Sequence, residues 1–583
     1  MNARHPTAVS DGAVLAIVAL AVTVEGGIWL WGGVAGAVFG RGWPAVSSSG
    51  VLTVITHLPR ALADPAQAWP RGARRLLPGT AGVYAALALV VAAATAVASL
   101  AVRMGLATRL ARSRRGGARW ASGSELRPLH GATPLRRSAG RVAGRLALGR
   151  YRGRLLYAEE RHALVAFGPP QSGKSAGLAV PALLEWNGPA VASSIKTDLL
   201  ACTLARRRAL GPVFVFDPFE LAGMAAQTWS PLLGARAWDG ALEVAWRLAA
   251  AGELDQRGVE GGDFWAIAAE QRLAPLLFAA ARAGLGMDAV VRWAYGQGSR
   301  ELYETISQLT GTAGDERELE DAHAAYDAVR AFEAQADRTR SSIEATAQGL
   351  LRAYRFARVL RSARSCEISP DRLLDQRATL YLIGDAKASK LLRPIFLALL
   401  SEIVDRAYER ATLAGGRLEL PLLLCLDEAG NVAPLPNLAE IASTAPSHNI
   451  QLVSIFHDLA QARSRYGRQA ETVVNSHRAR MLLPGVADLD TLRYFSSLAG
   501  EEETPETTRT TGADGGSRTR GTRRRPLIAP EELRQLGSGQ ALLLYGRLAP
   551  AVVRLRMWFT DRRLRRLAAG PVRESNVDDA GAA

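Results

Sequence analysis

Residues 168–175 read GPPQSGKS: a glycine, four intervening residues, then Gly-Lys-Ser. This spacing suits one kind of chemistry. Glycines let successive backbone N–H groups curl around an oxyanion, and the lysine adds a positive charge at the mouth of the loop. The lysine stands out, because only four of the 71 lysines and arginines are lysine: Lys174, Lys196, Lys387 and Lys390. A slim ammonium enters between the β- and γ-phosphates of a nucleotide as a point charge, where a planar guanidinium is wide and geometrically demanding. Lys174 therefore sits where an arginine would not fit.

A loop of this kind needs an acidic partner at a second strand end. The run LPLLLCLDEAGN (420–431) gives an apolar strand ending in Asp427 and Glu428. Asp427 with the Ser175 hydroxyl would hold Mg²⁺, and Glu428 would polarise an attacking water. Elsewhere an Asp-Glu pair is most often solvated; after six apolar residues, in a chain with this loop, it is far more specific. Three further apolar runs end in polar residues: PAVASSIKTDLL in Lys196 and Asp198, PVFVFDPFE in Asp217, and QLVSIFHD in His457. Ligands bind beyond the carboxyl ends of parallel strands. Each of these four residues suits a capping or loop role equally well.

The elements that must position these groups are legible around them. HALVAFG (162–168) is a strand-like run into the loop, and SAGLAVPALLEW (175–186) opens a helix whose N-terminus points its dipole at the phosphates. Apolar runs suited to buried parallel strands recur at 378–384, 421–426, 450–456 and 479–485. Between them, residues about 240–375 show helical periodicity without strand alternation.

At 583 residues, several domains are expected. Residues 14–40 carry one charge, Glu25, and residues 83–102 carry none, so two membrane spans are predicted. Glu25 would cost about 3 kcal/mol in lipid and is expected to face a neighbouring helix or carry a proton. Arginines 103, 109, 112, 114, 115 and 119 follow the second span, and 41, 60, 71, 74 and 75 lie in the connecting loop, so charge alone gives only a slight orientation. The nucleotide requirement puts the C-terminal body in the cytoplasm. The net charge of +16 favours polyanionic partners, nucleic acid or acidic lipid. Cys202, Cys366 and Cys425 lack metal-like spacing and read as small hydrophobes in a reducing compartment.

Taken together, the chain resembles the coupling proteins of type IV secretion and conjugation, the TraG/TraD family of hexameric DNA-translocating ATPases. The likeness rests on the two spans, GPPQSGKSAGLAVPALLEWNGPAV, the DPF…WSPL stretch (217–232) and SSIEATAQGLL (341–351). It continues in LLLCLDEAGNVAPLPNLAEIAST (422–444), DLAQARSRYG (458–467) and RPLIAPEELRQLGSGQALLLYGRLAPAVVRLRMW (525–558). The resemblance implies an α/β fold: a RecA-like P-loop NTPase domain with an inserted all-α domain, preceded by two transmembrane helices. The expected divisions are a membrane domain (1–105), a basic linker (106–150), nucleotide-binding segments at 151–239 and 376–570, an all-α domain at 240–375 and a tail at 571–583. It implies ATP and Mg²⁺ as cofactors, and DNA, a relaxase or other secreted protein, type IV channel components and the inner membrane as partners of a homo-hexamer. Gly168, Gln171, Ser172, Gly173, Lys174, Ser175, Lys196 and Asp427 are the expected nucleotide-binding set. Ser175 and Asp427 form the metal pair; Glu428, Lys174 and His457 are the catalytic groups.

Two departures stand out. The family commonly has Gln where this chain has His457, and often an Arg where this chain has Pro446 and Ser447, within STAPSHN. Arg478 or Arg480 of a neighbouring subunit is a candidate replacement. The turn-rich basic segment 504–526 reads as a mobile loop, either facing a nucleic-acid channel or simply solvated. Two alternatives stay open: a duplex-DNA translocase of the FtsK/HerA type, and a substrate-docking receptor that binds ATP but barely hydrolyses it.

Overall fold

A computed structural model of the chain describes residues 11–103, 117–130, 145–256, 262–432, 434–512 and 515–570. The expected tail at 571–583 lies outside the described residues. Two compact units divide the chain, residues 1–116 and 117–583.

In the first unit, helix Asp11–Val34 and helix Thr80–Arg103 are joined by a short helix, Ser48–His57, and several turns. Trp31 Nε1 donates to Val83 O at 2.8 Å, tying the two long helices together. Its ring meets Trp69 edge-on, centroids 5.0 Å apart. Among the described residues one segment is long and apolar enough to cross a membrane, Thr80–Val97, with mean hydropathy 2.0. Part of the other expected span, 14–40, lies outside the residues whose side chains are described, so that criterion does not bear on it.

The second unit is built on an eleven-stranded sheet. Its strands are β1 (Ala147–Tyr151), β2 (Arg154–Tyr157), β3 (Leu164–Phe167), β4 (Ala190–Ser194), β5 (Val213–Phe216) and β6 (Thr379–Ile383). They continue with β7 (Leu422–Leu426), β8 (Ile450–Phe456), β9 (Ala479–Leu482), then, after a separate hairpin of β10 (Glu501–Gly512) and β11 (Gly515–Pro526), β12 (Gln540–Tyr545) and β13 (Ala551–Arg554). The order across the sheet is β2-β1-β13-β12-β9-β3-β8-β7-β4-β6-β5. From β9 to β5 every neighbouring pair is parallel; β12, β13, β1 and β2 extend the sheet antiparallel. The central strands are buried on both faces, which is why they read as unbroken apolar runs rather than alternating ones.

Register decides which strand ends meet. Phe167 of β3 pairs with Phe456 of β8, and Leu426 of β7 pairs with Ser454 of β8. The carboxyl ends of β3 and β8 are therefore level, that of β7 stops two residues short of them, and β3 and β7 are separated by one strand, about 10 Å. The loop after β3, His457 after β8 and Asp427 after β7 must converge.

Between β5 and β6 the chain is helical, with long helices at Trp238–Gln256, Gly262–Arg282, Glu316–Glu333 and Asp337–Leu351. Two expectations need correction. The linker read at 106–150 runs into the sheet: β1 begins at Ala147, and Tyr151 Oη donates to Ala121 O at 2.6 Å. Segment 504–526 is not a turn-rich loop but most of the β10–β11 hairpin, paired from Glu501↔Pro526 to Gly512↔Gly515. Its glycines and charges suggested a loop, whereas β-branched threonines favour strand and cross-strand charge pairs lock the base: Glu502 with Arg525 at 2.7 Å and Glu503 with Arg524 at 3.4 Å.

Candidate nucleotide-binding site

The loop 168–175 hangs between β3 and the helical stretch Ser175–Glu185, whose first turn is wide before it tightens into α-helix. Gly168 N donates to Phe456 O at 3.0 Å, so the loop starts from the end of the neighbouring strand as well as its own. Two positions require glycine. Gly173 has φ +90°, and a Cβ there would fall 2.6 Å from Met557 Cε; a Cβ on Gly168 would fall 2.5 Å from Ser172 Oγ. Gln171 also takes a left-handed φ of +66°, which turns the loop over. The buried Ser172 Oγ has no hydrogen-bond partner among the described residues.

Lys174 is 6% exposed, and its Nζ donates to Gly168 O at 3.3 Å and to His457 Nδ1 at 2.8 Å. Burial lowers its pKa, and the charges of Glu428 and Asp427 oppose that shift. His457 is likewise pushed down, by burial first and then by the Lys174 charge. A neutral ring accepting at Nδ1 keeps its proton on Nε2, which faces Glu428 Oε1 at 3.9 Å. Lysine, imidazole and glutamate thus form a row.

Ser175 Oγ donates to Asp427 Oδ2 at 2.6 Å. The other oxygen, Oδ1, is buried without a partner among the described residues. Burial raises the Asp427 carboxyl to about 6, against the Ser175 hydrogen bond and the Lys174 charge. Glu428 has φ +64°, in the left-handed region, and Asn431 Nδ2 donates to its Oε2 at 3.2 Å. Left-handed backbone at a non-glycine residue beside the loop is a feature of sites rather than of cores.

Of the expected set, Gly168, Gln171, Ser172, Gly173, Lys174, Ser175, Asp427, Glu428 and His457 come together. Lys196 is exposed at the end of β4, beside β7, and its charge reaches Lys174 and Asp427 without a direct bond. Asp198 is exposed in the first turn of helix Asp198–Arg208. Asp217 lies beyond β5, at the far edge of the sheet, where Oδ2 accepts from Ala222 N at 2.6 Å. Both take loop or helix-end roles.

The structure adds supports that sequence reading had not named. Asn431 could have been found, three residues after Glu428. Gln461 Oε1 accepts from His457 N at 2.8 Å. Met557 packs over Gly173, Trp558 N donates to Ala176 O at 3.0 Å, and Arg556 bonds Glu185 at 2.8 Å and Asp561 at 3.0 Å. The segment after β13 thereby braces both ends of the loop's helix; no local pattern announces it.

A parallel α/β sheet with a phosphate loop on one strand end and an acidic pair two strands away defines the nucleotide-binding P-loop class. Within that class the chain belongs to the family described as Type IV secretory system Conjugative DNA transfer, whose profile matches residues 120–577. It is 25% identical over 403 residues to a conjugal transfer protein TraG of Escherichia coli, covering 63% of this chain and 61% of that protein. It is 23% identical over 473 residues to protein VirD4 of Rhizobium rhizogenes, covering 78% and 67%. The chain thus spans less than two thirds of the length of the TraG relative. The fold is shared with the conjugative coupling protein TrwBdeltaN70 in its unbound form, at TM-score 0.55 and 18% identity over 76% of this chain and 93% of that one. It is shared equally with TrwB in complex with ADP and Mg²⁺, at TM-score 0.55, 17% identity and the same coverage.

Proposed function

We propose that this chain is a membrane-anchored ATPase that couples relaxase-bound DNA to a type IV secretion channel and drives its translocation. The observation that carries the reading is the Ser175–Asp427 hydrogen bond beside Lys174, which unites loop and acidic strand end in one pocket. Family membership, the names of the TraG and VirD4 relatives, and the ADP and Mg²⁺ of the TrwB complex support it.

The residues fit a magnesium nucleotide. Ser175 Oγ and Asp427 would hold the metal, for Asp427 keeps a buried oxygen without a partner among the described residues. When bound, Mg²⁺ neutralises charge building on the β- and γ-phosphate oxygens. Backbone N–H groups from Gln171 to Ser175 bind the phosphates, with the Ser172 hydroxyl as an added donor. Lys174, which donates to Gly168 O and His457, would supply its charge to the phosphates. Glu428, held by Asn431, orients water for in-line attack, and His457 donates from Nε2 on the same side. Lys196 adds charge at the rim.

The remaining assignments follow from the same reading. Residues 14–40 and 83–102 are two spans, residues 240–375 form a separate helical domain, and the ATPase body is cytoplasmic and works as a homo-hexamer. A trans arginine comes from a neighbouring subunit. The full chain in detergent micelles should hydrolyse ATP, faster with DNA, and Lys174→Ala should abolish turnover. Nucleotide binding with no turnover under any DNA condition would favour the docking-receptor reading instead, to which His457 and the Pro446–Ser447 segment lend some support.

A further inference from the structure

The edge of the sheet opposite the phosphate loop holds a second polar cavity, of about 550 Å³. It opens where the chain enters β3 and β9 and leaves β12. These ends are level, because Leu164 pairs with Ala479 and Ala479 with Tyr545. Arg161, His162, Arg478, Arg480 and Arg547 line it, and no carboxylate does.

The cavity is shaped around its cations. Gly546 has φ +51°, and a Cβ on it would fall 2.5 Å from Arg478 Nε, so the turn is hollowed for that guanidinium. Arg480 is fixed by Nε donating to Val474 O at 3.1 Å and Nη2 to Asn475 O at 3.0 Å. The Tyr545 hydroxyl accepts from Glu159 N at 2.8 Å and meets His162 Nδ1 at 2.5 Å. Tyr545 thereby holds the His162 ring at the cavity wall. Glu159 lies 3.6 Å from the same Nδ1 and outside the lining. Arg161, Arg478 and Arg547 are exposed, with no side-chain hydrogen bond or ion pair among the described residues. Four guanidinium groups lining one cavity with no carboxylate in the lining favour an anion there.

We propose that this cavity binds the phosphodiester backbone of a nucleic-acid strand, at a site separate from the nucleotide pocket. The cations come from three chain segments around an opening far larger than one phosphate, which suits successive phosphates rather than a single ion. The apolar lining residues are no larger than alanine and His162 is the one aromatic ring in the lining, so the cavity offers no wall for an acyl chain. Contacts of this kind hold a strand without reading its sequence. The cavity shares no residue with the P-loop pocket of its own chain.

The test is fluorescence anisotropy of a labelled mixed-sequence oligonucleotide against the full chain in detergent micelles. Arg478→Gln/Arg547→Gln should weaken binding roughly tenfold. It should also lower the slope of log affinity against log salt by about 1.4, which is about 0.7 for each single-strand phosphate that is no longer neutralised. Arg478→Lys/Arg547→Lys should stay within about threefold of wild type, since a point charge suffices for a phosphate. Both variants should keep the wild-type melting temperature, which separates damage to the site from damage to the fold. Unchanged DNA affinity and slope in the glutamine pair would overturn the proposal. So would unchanged DNA affinity with abolished DNA-free ATP turnover, which would assign the cluster to a neighbouring subunit's nucleotide. Displacement of the oligonucleotide by equimolar inorganic phosphate would reduce the cavity to a single-ion site and equally overturn it.

Discussion

The hydroxyl of Ser175 donates to Asp427 Oδ2 at 2.6 Å, joining residues 252 positions apart in the chain. The bond exists because β3 and β7 flank β8 and run parallel to it, so both carboxyl ends open on the same side. It also buries a carboxylate with one oxygen unused, and burial raises that carboxyl from its ordinary 3.8 to about 6.

That raised value makes a pH prediction of definite sign. Between about 4 and 6 the metal-free folded protein holds a proton on Asp427 that the unfolded chain has released, so this group's contribution to stability falls as pH rises through that window. Magnesium needs the carboxylate, so Mg²⁺-dependent nucleotide affinity should instead tighten over the same window. Fluorescent-nucleotide titrations from acid to neutral pH should show this opposition, and Asp427→Asn should flatten both curves.

Lys174→Arg should fail almost as completely as Lys174→Ala. The lysine is buried between Gly168 O and His457, and the loop is capped at Gly173 by Met557, leaving no room for a planar group. Both variants should fall at least about a hundredfold in kcat/KM for ATP. An arginine variant with near-normal turnover would show that charge alone is required.

Glu428→Gln should bind ATP with affinity within about threefold of wild type and turn it over at least about a hundredfold more slowly. The amide keeps the hydrogen bond to Asn431 but cannot orient water as a carboxylate does. His457→Gln, by contrast, should stay within about tenfold of wild-type turnover at neutral pH, where the imidazole is already neutral. Single-turnover and binding assays on the same preparations separate the two effects.

Away from the site, Arg207 is fully buried. Its Nε donates to Thr379 Oγ1 at 2.6 Å, Nη1 to Trp186 O at 2.6 Å and Nη2 to Gly188 O at 2.7 Å. Burial pushes its pKa down to about 10, since carbonyls rather than a carboxylate receive it. Arg207→Met leaves those acceptors buried and unpaired, at a cost of about 3 kcal/mol. Calorimetry should find the main transition roughly 5 °C lower, with nucleotide affinity unchanged once folded.

What could be read along the chain was whatever depends on neighbours in sequence. The P-loop is one continuous strand, turn and helix, so Gly168 to Ser175 were legible together with their chemistry. Asp427 and Glu428 were legible because the strand before them is buried on both faces and reads as one apolar run. Contacts set by strand order were not. That His457 would meet Lys174 follows only once β8 lies beside β3, and Met557 reaches Gly173 only because the segment after β13 returns over the loop. Segment 504–526 was misread because Gly, Asp and Arg are turn and loop signals locally, while the pairing of Glu502 and Glu503 with Arg525 and Arg524 is visible only across the hairpin. The basic cavity was hidden for the same reason: Arg161, Arg478 and Arg547 are far apart until β3, β9 and β12 align.

The central claim is that Ser175 and Asp427 jointly hold the metal of a bound nucleotide. It is tested most directly by electron paramagnetic resonance of Mn²⁺ titrated into the full chain with a non-hydrolysable ATP analogue. Wild type should bind Mn²⁺ tightly only when the analogue is present, and Ser175→Ala/Asp427→Asn should leave the metal signal as in the absence of protein. An unchanged bound-metal signal in that double variant would contradict the account.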